Sequence, residues 1–222
     1  MKKIPLIVLI IFLSLFCLLI SLEKNSFKEL TYSNAYNEYN IENITGKTHS
    51  ELMGITNDLL VYLKGNGGDE ILELNFNERE ILHMRDVQVL FKYGFILKYI
   101  SIIVSILIIG FFLIQGEKDI LGIYMYKGLF INWIIAVLLI VMIYLDFNKY
   151  FTYFHEIFFT NDLWLLDPNT DLLIQMLPEE FFITMAKNIG LSFFIYVAIL
   201  QVIGYVIYKR GRRKDEKRIK LF

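Results

Sequence analysis

Hydrophobic positions in this chain are gathered into four long runs rather than spread at the spacings of a soluble core. A helix that crosses a bilayer needs about 20 mostly apolar residues. Residues 4–22, 95–115, 129–145 and 189–208 meet or approach that length. Lys98 sits near the end of the second run, where its stem can snorkel, and Asn132 lies within the third. The remaining chain is two long mixed stretches, 23–94 and 146–188, a short connection 116–128 and a tail 209–222. The pattern predicts an α-helical integral membrane protein with four transmembrane helices capped by a small mixed α/β extracellular domain. A soluble alternative, with these runs as buried core helices, fails because the 222 residues hold too little polar chain to cover them.

Patterning within the first mixed stretch predicts short elements. Asn25–Tyr39 mixes Tyr with turn formers and reads as extended. Thr48-His49-Ser50-Glu51 is a capping box, followed by Leu52, Ile55, Leu59 and Leu63 at helical spacing. Gly65, Gly67 and Gly68 end that helix. Leu72, Leu74 and Phe76 then alternate with polar residues as a half-buried strand would. Asn77-Glu78-Arg79-Glu80 opens a second helix that leads into the run at 95–115. In the second stretch, 150–160 reads as an aromatic helix, Asn161-Asp162 as a break, Asp167-Pro168-Asn169-Thr170 as a turn, and 171–177 as a short helix or turn. Pro178, Glu179 and Glu180 open a helix that continues into the fourth run. The outer portion is too small to bury a large core alone and should rest on the membrane helices.

Charge then orients these elements. Lys2 and Lys3 precede the first run, and Lys209, Arg210, Arg212, Arg213, Lys214, Lys217, Arg218 and Lys220 follow the fourth. Cytoplasmic flanks collect Lys and Arg. Both termini and 116–128 are therefore expected inside, and 23–94 and 146–188 outside. The overall charge of −1 conceals a basic inside and an acidic outside. The basic tail is a topology signal with affinity for anionic lipid, not a nucleic-acid site. The exit of the first run, LLISLEKNSF, lacks a small-x-small cleavage pattern, so that run reads as an uncleaved anchor. The single cysteine, Cys17, lies in that run and rules out an internal disulfide.

Candidate chemistry is narrow. Glycine-rich phosphate loops and the G-x-S-x-G elbow do not occur. His155-Glu156 starts like a zincin motif, but HEIFF has no second histidine four residues on. Of three histidines, His49 follows a helix cap, while His83 and His155 each sit at the outer end of a membrane helix beside carboxylates. Glu80, His83 and Asp86 are spaced so that neighbours share a helix face. A carboxylate there can hold one ring nitrogen and raise the basicity of the other. The plainer alternative is a solvated face with ordinary ion pairs. The segment 151–182 is too acidic for lipid and too aromatic for an open loop, which suits a membrane–water boundary. A metal shared by His83 and His155 with Asp86 or Asp162 is a further alternative, although the spacing does not favour it. From residues alone, two histidines at the outer leaflet suggest general acid–base work on a lipid-linked substrate, as in a membrane hydrolase or acyltransferase.

HMRDV at 83–87, together with FHEIFF, ND, WLLDP and MLPEEFF across 154–182, resembles the lipoprotein intramolecular transacylases of Gram-positive bacteria, a four-span membrane family. The resemblance extends over essentially the whole chain. It implies a membrane lipoprotein substrate carrying a diacylglyceryl group on its N-terminal cysteine, whose sn-2 acyl chain moves to the cysteine α-amine to give the lyso form. Donor and acceptor are on one molecule, so the resemblance implies no cofactor, nucleotide, acyl carrier or metal. It implies membrane lipids as surroundings and carries no statement of oligomeric state. His83 is then expected as base, oriented by Asp86 or Glu80. His155 is expected as oxyanion donor or acid with Asn161 as second donor, and these roles can be exchanged. An acyl-histidine intermediate stays open. Arg85, Asp162, Trp164 and Asp167 are expected to bind substrate. The competing readings are a metal-dependent membrane hydrolase and a non-enzymatic partner in lipoprotein processing.

Overall fold

In the computed structural model the backbone is described for residues 3–219 and side chains for residues 3–211. Lys2 and the tail side chains from Arg212 to Lys220 lie outside the described residues. The elements are α1 (Lys3–Ser26), α2 (Glu29–Glu38), α3 (Ile41–Thr45), α4 (His49–Leu63), α5 (Glu78–Ile114), α6 (Lys118–Gly128), α7 (Ile131–Phe158), α8 (Leu172–Met176) and α9 (Glu179–Ile219). Four helical stretches, Lys3–Ser26, Glu78–Ile114, Lys118–Phe158 and Glu179–Gly211, are long and apolar enough to cross a membrane. Their apolar windows are only 17–33% buried, so most of that apolar surface faces outward, as lipid contact requires.

The chain divides into two compact units. One consists of Met1–Leu22, Ile96–Val141 and Ile189–Phe222. Its core gathers Leu6, Leu9, Leu13 and Cys17 from α1, Phe112 from α5, Leu121 and Met125 from α6, and Val197 from α9. Gly116, at φ +75°, lets the chain turn sharply between α5 and α6. α6 and α9 meet backbone to backbone at Gly122 and Gly204. A Cβ on Gly122 would lie 2.6 Å from Tyr208 N, and one on Gly204 would lie 2.7 Å from Tyr126 N. This is the small-residue packing that membrane helices use where water supplies no hydrophobic drive. Buried Gln201 joins two helices here: Trp133 Nε1 donates to Gln201 Oε1 at 2.7 Å, and Gln201 Nε2 donates to the Tyr126 carbonyl at 3.2 Å. Lys98 is buried, with its Nζ 4.4 Å from the Tyr99 ring centroid.

The second unit consists of Glu23–Phe95 and Met142–Asn188. The expected mixed α/β composition is corrected here: among the described residues this unit contains helices and turns and no strand. The stretch 25–39 is largely α2, which buries Thr31, Tyr32, Ala35 and Tyr36, a helical rather than alternating set. The supposed strand at 72–76 is a tight turn following a 3-10 helix at Asp69–Ile71. Its amides bond locally, Leu72 to Asp69 and Phe76 to Leu72, so no ladder partner is needed. Leu72 and Phe76 are buried while Leu74 is 87% exposed, which is spacing of four, not two.

The expected capping box of α4 is present. Glu51 N donates to Thr48 Oγ1 at 3.3 Å, and Thr48 N donates to Glu51 Oε2 at 2.8 Å. Leu52, Ile55, Leu59 and Leu63 are all buried, as their spacing requires. Thr56 Oγ1 donates to the Leu52 carbonyl and so accepts from Tyr36 Oη at 2.6 Å, joining α4 to α2 inside the core.

α7 is broken at Asp146, whose backbone is extended (φ −166°, ψ 85°). Asp146 Oδ1 accepts from Lys149 N at 3.0 Å and so restarts the helix that carries His155. The turn at 167–170 forms by the expected means, with Asn169 N donating to Asp167 Oδ1 at 2.9 Å.

Candidate active site

The site belongs to the second unit and starts with the cap of α5. Glu80 N donates to Asn77 Oδ1 at 3.0 Å, and Asn77 N donates to Glu80 Oε2 at 2.7 Å. The other Glu80 oxygen accepts from Leu173 N at 2.6 Å, at the start of α8. Burial pushes the Glu80 carboxyl above its ordinary range, against the opposing pull of the Leu173 and Asn77 amides. Asn77 Nδ2 donates to Asp171 Oδ1 at 2.9 Å, and Asp171 Oδ2 accepts from Asp167 N at 2.8 Å. Burial pushes Asp171 up, but the bonds from Asp167, Thr170 and Asn77 outweigh it and hold that carboxyl low. This network ties the first turn of α5 to the segment after residue 166.

One turn along α5, His83 projects into a buried site, only 7% exposed. His155, on the last turn of α7, is equally buried. Their ring centroids are 6.1 Å apart. Phe159 fills the angle between them, 5.3 Å from His83 and 5.6 Å from His155. Phe151 meets His155 edge to face at 4.4 Å, and Trp164 lies flat on it at 4.8 Å with 25° between the planes. The structure therefore brings together two histidines 72 positions apart in sequence inside an aromatic cage.

The two imidazoles differ in their bonding. His155 Nδ1 lies 2.7 Å from the Phe151 carbonyl. A carbonyl can only accept, so Nδ1 carries the proton and the neutral ring keeps its lone pair on Nε2. His83 Nδ1 is buried with no hydrogen-bond partner among the described residues. Burial, reinforced by His155 and opposed by Asp86, pushes His83 down to about 4. Burial also lowers His155, against the Phe151 hydrogen bond. Both rings are therefore neutral near pH 7.

The other residues singled out from sequence are placed as follows. Asp86 accepts from Asn161 Nδ2 at 2.9 Å, and Asn161 Oδ1 accepts from Leu163 N at 3.1 Å. Asn161 thus spends much of its amide on holding its own loop to α5. Glu80 bonds backbone amides on both oxygens, as above. Arg85 is exposed and pairs with Asp69, which also accepts from Tyr62 Oη at 2.8 Å. Asp162 lies 3.9 Å from Arg79, whose Nη2 donates to the Asp162 carbonyl at 2.6 Å. Asp167 is occupied in its turn. The open concavity beside Arg85, floored by Phe76, Ile81 and Leu82, includes neither histidine. Among the described residues no group of three or more His, Cys, Asp or Glu side chains is arranged to hold a metal.

Sequence reasoning overlooked Asn77, Arg79 and Asp171, which fix the two segments together. Asn77 was visible as a helix cap. The Asp171 and Arg79 partnerships cross 94 and 83 positions and leave no local trace.

Four membrane-length helices define an integral membrane protein, and a buried, hydrogen-bond-poor pair of imidazoles is its candidate site. The chain belongs to the lipoprotein intramolecular transacylase family: the family described as "Lipoprotein intramolecular transacylase Lit" matches residues 7–182. Membership makes it an acyltransferase, and a lipoprotein is the substrate the family name specifies. Its fold is similar to that of the membrane integral lipoprotein intramolecular transacylase Lit from Bacillus cereus. The TM-score is 0.86 at 23% identity, covering 96% of this chain and 98% of that one. Structures of the same Bacillus cereus protein with a histidine-to-arginine and a histidine-to-alanine mutation also match. Each has a TM-score of 0.82 at 21% identity and covers 96% of this chain, with 95% and 96% of theirs. No curated protein sequence gives a significant match.

Proposed function

We propose that this acyltransferase moves the sn-2 acyl chain of a diacylglyceryl lipoprotein to the α-amine of the N-terminal cysteine, leaving the lyso form. The observation that carries this reading is the pairing of two buried, neutral imidazoles, one with Nδ1 committed to a carbonyl and one with Nδ1 unpartnered. His155, with Nδ1–H committed to a carbonyl, offers the Nε2 lone pair as proton acceptor. His83, whose buried Nδ1 has no partner, is assigned the tautomer with its proton on Nε2, where it would serve as a donor. This takes the exchanged assignment that the sequence left open. A neutral imidazole is a competent electrophile toward a developing oxyanion.

The amine nitrogen attacks the sn-2 ester carbon and gives up its proton to His155 Nε2. The tetrahedral oxyanion accepts from His83. The ester C–O bond breaks, the amide C–N bond remains, and the His155 proton goes to the leaving glycerol oxygen. An unperturbed α-amine has a pKa of about 7.7–8.0, so a histidine can manage that transfer near neutrality. Because ester and amine are tethered, holding them in register can supply at most roughly 7–11 kcal/mol of the barrier. The ring of Phe151, Phe159 and Trp164 excludes water that would otherwise hydrolyse the ester.

Topology completes the proposal. The spanning segments are 4–22, 95–115, 129–145 and 189–208, both termini are cytoplasmic, and the site faces the outer leaflet of a bacterial cell membrane. Charge patterning supports this orientation.

The decisive experiment is mass spectrometry of a lipoprotein N-terminus from cells with and without the protein. Conversion from diacylglyceryl to N-acyl, monoacylglyceryl cysteine should require this chain. Accumulation of free fatty acid without N-acylation would instead establish a hydrolase. A reporter fused after Phe222 that is active only outside the cell would overturn the topology.

A further inference from the structure

We propose that Trp164 is a positioning residue that acts on the reaction through His155, presenting its indole face to the imidazolium that forms when His155 takes the substrate proton. The inference rests on the reading of His155 as proton carrier. A cation over an indole face, within about 6 Å of the ring centroid, is attracted by the negative face of the ring quadrupole. The Trp164 and His155 rings are stacked at 4.8 Å and 25°, whereas Phe159 is farther and more tilted, at 5.6 Å and 35°, and Phe151 and Phe154 approach the same imidazole nearly perpendicular, at 75° and 88°. Trp164 is therefore the cage member whose face is best presented to a planar cation.

The indole is also held in place by a chain of hydrogen bonds. Trp164 Nε1 donates to the Asn161 carbonyl at 3.0 Å, and the Asn161 side chain donates to Asp86 on α5 at 2.9 Å. The helix that carries His83 thus fixes the ring that lies on His155.

The charged groups nearby do not already do this work. His83 is itself neutral and buried. Asp86 is bonded to Asn161, Asp162 faces Arg79, and Glu156, on the same helix as His155, is exposed. No carboxylate among the described residues bonds the His155 ring, so the proton it takes up has no adjacent counter-ion. The indole face offsets the burial that opposes that charge.

The test separates this role from packing by its sign. The His155 ring is titrated by NMR in the full-length protein in lipid nanodiscs with isotopically labelled histidine, its signal assigned by its loss in His155→Gln. Trp164→Leu should lower the His155 pKa by about 0.5–1.5 units, the span of cation–π energies expressed as a titration shift. Trp164→Phe should lower it less, and Asn161→Ala, which frees the loop, should move it the same way. Turnover should fall with the pKa while KM stays constant. If Trp164 only covers the imidazole, its removal admits water and raises the His155 pKa, and that outcome or an unchanged value overturns the proposal. Trp164→Phe decides the matter should the leucine variant fail to fold. The reading of His155 as proton carrier fails separately: full activity in His155→Gln would sink it, whatever the titration shows.

Discussion

Two polar clusters are anchored on the first two turns of α5, one through Glu80 and one through His83, and they are built to opposite rules. Around Asn77, Glu80 and Asp171, carboxylate oxygens meet backbone amides and the Asn77 side chain. Around His83 and His155, one buried nitrogen has no partner and the other ring makes its hydrogen bond only through Nδ1. A satisfied buried network holds a fold. An unsatisfied buried donor or acceptor costs about 1–3 kcal/mol and persists only where something else requires it. On the proposed reading the first cluster is architecture, and the second is kept for a substrate.

The sharpest way to break that contrast is to remove the histidines. His155→Ala should reduce acyl migration by about 10²–10⁴ as a proton carrier. His155→Gln should be nearly as damaging, since an amide takes up no proton near neutrality. His83→Ala should cost about 10²–10³ as an oxyanion donor. His83→Gln keeps a donor and should retain part of that activity. The measurement is the ratio of lyso-form to diacylglyceryl lipoprotein at equal enzyme level. Full activity of His155→Gln together with loss in His83→Gln would restore His83 as the base.

The architectural cluster should fail in the other sense. Glu80→Ala strands the Leu173 and Asn77 amides and should destabilise the fold by about 1–3 kcal/mol for each amide left unpaired in the interior. Thermal unfolding in detergent reads this directly. Histidine variants should leave the midpoint unchanged or raised, and a Glu80→Ala midpoint equal to wild type would erase the distinction. Asp171→Asn keeps the volume but loses charge, and should be milder.

Protonation sharpens the comparison. Both histidines have folded pKa values below the ordinary 6.5, His83 at about 4. Between pH 6.5 and 4 the unfolded chain binds more protons than the folded one at these positions, so their contribution to stability is intact above 6.5 and lost as pH falls through that window. The slope is at most about 1.4 kcal/mol per pH unit for each ring. Glu80, raised by burial, contributes the opposite slope above pH 4.5. Histidine NMR between pH 4 and 8 isolates the ring effects: neither His83 nor His155 should titrate at 6.5 or above.

The smallest effect is expected at the clasp between Asp86 and Asn161. Asp86→Asn exchanges a charge for an amide that can still accept through its oxygen. Turnover should fall by less than about tenfold, with the unfolding midpoint unchanged; a loss as large as that of His155→Ala would place Asp86 among the proton-transfer groups.

Much of this is legible in the sequence. Four apolar helices declare themselves because a lipid-crossing segment tolerates few polar residues. His83 and His155 stood out because so few histidines occur and both flank apolar runs. The strand at 72–76 misled because Leu72 and Phe76 satisfy both a period of two and a spacing of four. Only the fate of Leu74 separates them, and that depends on tertiary packing. Asn161 read as an oxyanion donor because its partner Asp86, 75 positions away, has no local signature. Which His155 nitrogen is free depended on the Phe151 carbonyl at the preceding helical turn, a backbone group whose availability cannot be read from residue identity.

The unpartnered nitrogen of His83 also bears on how this protein can be engineered. A sequence redesign that rewards fit would replace residue 83 with Leu or Phe, because an apolar side chain fills the same cage without a stranded nitrogen. On the proposed mechanism the redesigned protein would survive heating better and lose activity by about 10²–10³-fold. Thermostabilisation therefore has to exempt this position, and a stable variant recovered by selection for heat resistance alone should be sequenced at codon 83 before its fold is credited as an improved enzyme.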